Sequence, residues 1–287
     1  MNKTFNKKYL IVGAIVAAGF FFLPVGVEAA TRVYFELTSF TISEGDTFLA
    51  DLEISTPDRS INVIDGTILY DRNKLEIKEI STGGSILSLW PKPPVFSNKN
   101  GSLNFVGGAT DGFRGEKGKI LRIIFLAKSE GKAQIDFLDG FSVFLHDGQG
   151  TQINPGLRPL TLNILEKPPE IPAKDEWRDL LEKDKTPPKF DEAIISRDPR
   201  VFDNQYFVSF FATDDGTGIS HYEIKEGSGD FVRAESPHLL RDQTLAETVQ
   251  IKAVDNAGNE SVITPELASV PGIPYKTYLI WSIIALV

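Results

Sequence analysis

The chain has no cysteine, one methionine, three tryptophans and three histidines in 287 residues. Without cysteine there are no disulfides, no thiolate nucleophile and no Cys-based zinc or iron–sulfur site. An exported chain of this kind is held together by its packed cores alone. Positive charge is also scarce: 30 Lys and Arg face 39 Asp and Glu, a formal net charge of −9. That balance argues against nucleic acid as a partner, because phosphate calls for a basic surface. The three histidines, His146, His221 and His238, stand apart, with no HExxH spacing. No G-x-S-x-G is present. The segment Gly115–Ile120 mimics part of a phosphate loop, but Phe113 and the residue after Lys119 break the pattern.

Apolar residues make up 41% of the chain, and its length is sufficient for two cores. Lys3, Lys7 and Lys8 precede an apolar stretch from Leu10 to Leu23. Pro24 then breaks it, and Val27-Glu28-Ala29 offers small residues for cleavage. Residues 1–29 therefore read as a signal peptide. At the other end, Tyr278–Val287 is an apolar run flanked by Lys276, Tyr278 and Trp281. A spanning helix needs about 20 such residues. Residues 275–287 read as the start of a transmembrane helix, with a short terminal strand or tail as the plainer reading.

Between these ends the pattern is all-β. In Phe48–Ile54, apolar Phe48, Ala50, Leu52 and Ile54 alternate with Asp51 and Glu53, one wet face and one buried. Similar short runs at Val33–Leu37, Gly66–Tyr70, Leu75–Ser81, Ser102–Val106, Ile120–Lys128, Ala133–Phe137 and Leu160–Leu165 are punctuated by Gly, Asn, Asp and Pro. They predict an antiparallel sandwich over residues 32–165. Residues 166–185 form a Pro- and charge-rich linker, in which Ala173–Lys183 can form a short helix with Trp177, Leu180 and Leu181 on one face. A second, smaller β-domain covers 186–268, with its clearest strands at Tyr206–Ala212, His221–Lys225 and Thr248–Val254. Its brevity suggests an immunoglobulin-like sandwich.

Four stretches of the first domain, Gly45–Phe48 (GDTF), Leu69–Ile77 (LYDRNKLEI), Gly101–Ala109 (GSLNFVGGA) and Gly118–Ile135 (GKILRIIFLAKSEGKAQI), together resemble the cohesin family. The resemblance implies a jelly-roll sandwich, related to carbohydrate-binding modules, that engages a dockerin through one outer face. It places that face on the strand before Tyr70-Asp71 and its neighbours, with Asp65, Thr67 and Asn104 as partner contacts. Val63 stands where the family commonly carries Asn. The second domain resembles bacterial immunoglobulin-like repeats, through Thr186–Pro188, Ala212–Ile224, Ser236–Leu240 and Lys252–Ser261. Such repeats act as spacers or weak adhesive units.

The strand Ile120–Lys128 adds a separate hint. Leu121, Ile123, Phe125 and Ala127 suit a core, which leaves Ile120, Arg122, Ile124 and Leu126 on the other side. That side is apolar for a wet face, so Arg122, Ile124 and Leu126 are candidate partner contacts. A covering loop, Leu89–Phe96, is the alternative. Trp90 could stack on a sugar, although a lone tryptophan beside Pro91 more often caps a core edge. Asp214, Asp215, Asp255, Asn256 and Asn259 supply hard oxygen donors at turns; a calcium site is one reading, but EF-hand spacing is missing and solvated turn residues are the plainer one. No catalytic residue, metal or cofactor is expected. The reading is a non-catalytic surface protein whose cohesin-like module engages a dockerin-like protein or a polysaccharide, anchored to the membrane through its C-terminal segment. The alternative is a structural coat or stalk protein without a foreign ligand.

Overall fold

Two strands, Thr47–Tyr70 and Ser102–Ala127, run antiparallel along their whole lengths, from Thr47 opposite Leu126 to Leu69 opposite Ser102. Extended, 24 residues reach roughly 80 Å, too far for one flat layer of a small domain. The pair instead bends together. The pairing slips repeatedly between Leu52 and Val63 on one strand and between Leu121 and Gly108 on the other. Such bulges bend and twist a strand. The computed structural model describes residues 31–268, so the signal peptide expected at 1–29 and the anchor expected at 275–287 lie outside the described residues. Among the described residues no helix is long and apolar enough to cross a membrane.

The bend creates two layers. Residues 47–56 and 118–127 lie in one, flanked by Arg32–Leu37, Gly156–Arg158 and Leu75–Ser81. Residues 61–70 and 102–113 lie in the other. Leu89–Ser97 pairs on one side, and Ser142–Leu145 and Gly131–Phe137 on the other. Leu160–Leu165 then pairs with Gly131–Phe137 and, in parallel, with Ile42–Ser43. The expected strand Phe48–Ile54 is thus the opening of a much longer one.

Aromatic rings close the space between the layers. Phe48 stacks on Phe125 at 5.6 Å, and Tyr70 from the second layer meets Phe125 edge-on at 5.5 Å. Phe35 stacks on Phe137, which meets Phe141 edge-on at 5.3 Å. Gly66 has no side chain because the Phe141 ring occupies that place. Each fully buried Phe, Leu or Ile contributes on the order of 2 kcal/mol. With no disulfide in the chain, this burial carries the stability.

The linker is fastened down along its length. Asp46 accepts hydrogen bonds from the backbone N–H groups of Ser43 (2.9 Å) and Lys174 (2.8 Å), and pairs with the Lys167 ammonium. Thr47 N–H donates to the Lys174 carbonyl at 2.8 Å. The helix that follows, Glu176–Lys183, has Asp175 as its N-cap, accepting from Arg178 N–H. Glu176 accepts from Leu49 N–H (3.2 Å) and from the Thr38 hydroxyl. Where the sequence suggested a spacer, the segment is a strap against the first layer.

The second half is a sandwich of two four-stranded sheets. One runs His238–Leu239, Val201–Thr213, Lys189–Asp198, Glu266–Leu267; the other runs Val232–Ala234, Ile219–Glu226, Val249–Asp255, Glu260–Ile263. In Val249–Asp255, Val249, Ile251 and Ala253 are buried while Gln250 and Lys252 are partly exposed, the two-residue period its sequence shows. The Lys252 ammonium crosses the Phe231 ring at 4.4 Å and pairs with Glu223 at 3.1 Å.

The two sandwiches meet backbone to backbone. The Ser81 hydroxyl donates to the Thr217 carbonyl at 2.6 Å, and Gly84 N–H donates to the Asp214 carbonyl at 2.8 Å. A Cβ on Gly83 would lie 2.6 Å from the Gly216 carbonyl oxygen and 2.8 Å from the Gly218 nitrogen, both rigid main-chain atoms. Gly83→Ala should therefore open this junction while leaving each sandwich intact. Small-angle scattering is expected to show a larger and more varied shape with an unchanged far-ultraviolet circular dichroism spectrum; unchanged scattering would refute the close approach.

Candidate partner-binding face

The outer surface of the second layer is set by pleat and register. Along residues 61–70, Ile64, Ile68 and Tyr70 are buried in the core, and Gly66 faces Phe141. Val63, Asp65 and Thr67 therefore point the other way. Leu103 and Phe105 are likewise buried, and Asn104 and Val106 turn outward. Residues directly opposite in an antiparallel pair share a face. Three rows result: Leu89, Gly108, Val63 and Phe144; Lys92, Val106, Asp65 and Ser142; Val95, Asn104 and Thr67.

Val63 and Val106 form a small apolar cluster of their own, separate from the main core, with Leu89 and Phe144 packed beside them. Asp65, Lys92 and Val95 are exposed around it, and Thr67 and Asn104 are half-buried. Val63 and Val106 are themselves 7% and 1% exposed, so the apolar surface offered here is that of half-buried Leu89 and Phe144, with a polar rim around it as in a protein-binding patch. Asp65, Thr67 and Asn104, expected from the sequence, come together here. Val106 could have been found from the alternation of Ser102–Val106. Phe144 could not, because its four-residue strand is hidden among glycines and turns.

Arg122, Ile124 and Leu126 lie in the other layer, so the six candidate contacts do not make one face. Arg122 is held by a bidentate pair with Asp51, Nε to Oδ1 at 2.6 Å and Nη2 to Oδ2 at 2.8 Å. Ile124 is fully buried, and Leu49 opposite it is 5% exposed. The strap accounts for this: its helix is fixed to Leu49 through Glu176, with Trp177, Leu180 and Leu181 each half-buried. The expected open apolar face is thus closed, by the helix and not by Leu89–Phe96. Ile120 departs as well. Leu52 pairs with Leu121 and Glu53 with Lys119, so Ile120 is the extra residue of a bulge and turns into the core with Leu121.

Leu89–Ser97 is an edge strand, not a loop. Pro91, Pro93 and Pro94 fall between its paired residues Leu89, Lys92 and Val95, because proline has no N–H to give a ladder. Trp90 packs edge-on against Phe105 at 6.1 Å, and its ring occupies the space a Gly107 side chain would need. It closes the core edge on this side. A shallow groove of about 380 Å³ lies elsewhere, lined by Phe35, Leu37, Phe40 and Leu160 among others, with Glu36 as its one carboxylate. It lacks the carboxylate pair that glycoside cleavage uses. Asp214 and Asp255 are not the solvated turn residues their sequence setting suggested: they are 6% and 2% exposed.

Glu53 is the unusual ionisable group of the first sandwich. It is 2% exposed, and its Oε2 is buried without a hydrogen-bond partner. Burial pushes its carboxyl from the ordinary 4.5 up to about 7; Lys117 draws it down, and Asp51 and Glu36 add to the rise. Between these values the folded chain holds a proton that the unfolded chain has released, so stability falls as pH rises across that window. Glu53→Gln should match the parent near pH 4.5 and exceed it at pH 8 by at most about 3 kcal/mol. Thermal melts at the two pH values would show this, and a pH-independent difference would contradict it.

No protein-family model matches the chain, and no curated protein sequence matches it. Among solved structures, the chain is similar to the seventh ScaB type I cohesin of Pseudobacteroides cellulosolvens, at 18% identity over 50% of this chain and 97% of that one, with a TM-score of 0.42. It is similar to a non-cellulosomal cohesin of the hyperthermophilic archaeon Archaeoglobus fulgidus, at 17% identity over 48% and 92%, TM-score 0.40. It is also similar to a type I cohesin–dockerin complex, Coh-OlpC-Doc435, of Clostridium thermocellum, at 17% identity over 48% and 95%, TM-score 0.41.

Proposed function

We propose that the first sandwich is a non-catalytic, cohesin-like protein-binding module that engages a dockerin-like partner through the outer surface of its second layer. The observation that carries this is the half-buried apolar pair Leu89 and Phe144, seated on buried Val63 and Val106 apart from the main core and ringed by Asp65, Lys92, Asn104 and Thr67. The four motif stretches of the sequence support the same reading. The opposite layer is occupied by the strap helix, which leaves this surface as the available one. The second sandwich, with its resemblance to bacterial immunoglobulin-like repeats, serves as a stem. The N-terminal signal and C-terminal apolar run fit export and retention at the cell surface.

The test is a binding screen of the full chain against dockerin-type modules and, in parallel, a glycan array. Capture of a protein module is expected, weakened at least tenfold by Asp65→Lys or Thr67→Arg with folding unchanged. Arg122→Ala should behave differently. It strands the Asp51 charge in a buried site and should lower stability by about 3 kcal/mol, read by chemical denaturation. Glycan capture alone, abolished by Trp90→Ala, would replace this reading with a carbohydrate module. Self-association without any foreign ligand would replace it with a structural coat protein.

A further inference from the structure

Three aspartates from distant parts of the chain converge where the two sandwiches meet. Asp184 caps the C-terminus of the strap helix, Asp214 follows the strand Val201–Thr213, and Asp255 ends the strand Val249–Asp255. Each offers a carboxylate oxygen within 4.8 Å of the other two. They are 8%, 6% and 2% exposed. Among the described residues, none of the three forms an ion pair with Lys, Arg or His.

What surrounds them orients without neutralising. Asp184 Oδ2 accepts from Thr217 N–H and its hydroxyl, both at 2.8 Å, and Oδ1 accepts from Thr186 N–H at 3.1 Å. Asp214 Oδ2 accepts from Gly218 N–H at 2.6 Å. Asp255 Oδ1 and Oδ2 accept from Asn259 N–H (2.7 Å) and Nδ2 (2.8 Å), and the same Nδ2 reaches the Asp184 carbonyl. Asp184 Oδ1, Asp214 Oδ2 and both Asp255 oxygens accept one such bond each and keep a lone pair, whereas Asp184 Oδ2 accepts two. Asp214 Oδ1 is buried without a hydrogen bond of ordinary geometry; besides Gly218, only the Gly216 N–H acts weakly on this carboxylate. Burial foremost, with added repulsion from Asp184 and Asp255, pushes the Asp214 carboxyl upward. A Cβ on Gly216 would run into the Asp184 carboxylate, so the loop carries glycine where it passes the cluster.

Three carboxylates sharing a dry site repel one another strongly, and an unpaired buried charge is expensive. We propose that Asp184, Asp214 and Asp255 bind a hard divalent cation, Ca²⁺, at the junction, with Asp214 Oδ1 as a direct ligand. The donor set is oxygen alone, which selects Ca²⁺ or Mg²⁺ over softer metals. Oxygens bound to one Ca²⁺ at about 2.4 Å can stand up to about 4.8 Å apart, which this cluster satisfies, whereas Mg²⁺ draws them closer. The cation also has a mechanical role. The loop 214–218 that carries Asp214 and Thr217 is the loop onto which Ser81 and Gly84 dock. Holding that loop fixes one sandwich against the other.

The experiment is calorimetric titration of the EDTA-treated full chain with CaCl₂ and, separately, MgCl₂, with thermal melts in each ion and in EDTA. One equivalent of Ca²⁺ is expected to bind with a Kd of about 10⁻⁴ M or tighter. At 10 mM it should raise the melting temperature by roughly 3–8 °C, with weaker or no response to Mg²⁺. Asp214→Asn and Asp255→Asn should lose both effects. Asp214→Asn should also melt no lower than the parent in EDTA, because it removes a buried charge with no cationic partner and keeps an oxygen for the Gly218 N–H. Absence of Ca²⁺ uptake by the parent at 10 mM would overturn the proposal. So would an Asp214→Asn variant, folded by circular dichroism, that still responds to Ca²⁺ as the parent does.

Discussion

Residues 47–70 and 102–127 are hydrogen-bonded to each other across both layers, and every other part of the first sandwich is placed by that pairing. A single sheet of this length would leave one apolar side wet. Bending both strands at the same level folds the sheet onto itself, and Tyr70 then reaches Phe125 across the gap. The bend also decides function. It sends Asp65 and Arg122, which sit on partner strands of one continuous sheet, to opposite outsides of the molecule. One outside takes the linker; the other keeps Leu89 and Phe144 half-buried beside Val63 and Val106.

The local alternation of the strands was legible because it depends on one residue and its second neighbour. Val249 to Ala253 buries the residues its pattern selects; Phe48 to Ile54 does too, but its expected wet face is also covered, with Asp51 8% and Glu53 2% exposed. The bulge at Ile120 was not legible, because nothing in Lys119-Ile120-Leu121 distinguishes a bulged strand from a regular one. It required knowing that Leu52 stands opposite Leu121. The burial of Ile124 was hidden for a related reason. The apolar face of Trp177, Leu180 and Leu181 was visible in the sequence, but nothing local says which sheet that face covers. Proline marked Leu89–Ser97 as irregular, and an edge strand with slipped pairing satisfies that composition as well as a loop does.

The aspartate cluster shows the same limit from the side of charge. Asp214 and Asp255 each sit in a turn-like stretch rich in Gly, Asn and Asp, where exposed acids are the rule. Only the bonds that Asp184, at the end of the strap helix, makes with Thr217 and Asn259 bring it beside those two aspartates, from 30 and 71 positions away in sequence. Burial turns three ordinary turn residues into a site with an electrostatic deficit.

The proline-interrupted border of the second layer has its own consequence. Of the nine residues in Leu89–Ser97, Pro91, Pro93 and Pro94 offer no main-chain donor. A neighbouring molecule therefore finds no continuous ladder on which to extend the sheet. At high local density, copies of this protein are kept from zippering together along this border. Any visitor must engage side chains on the flat of the sheet instead of borrowing its backbone.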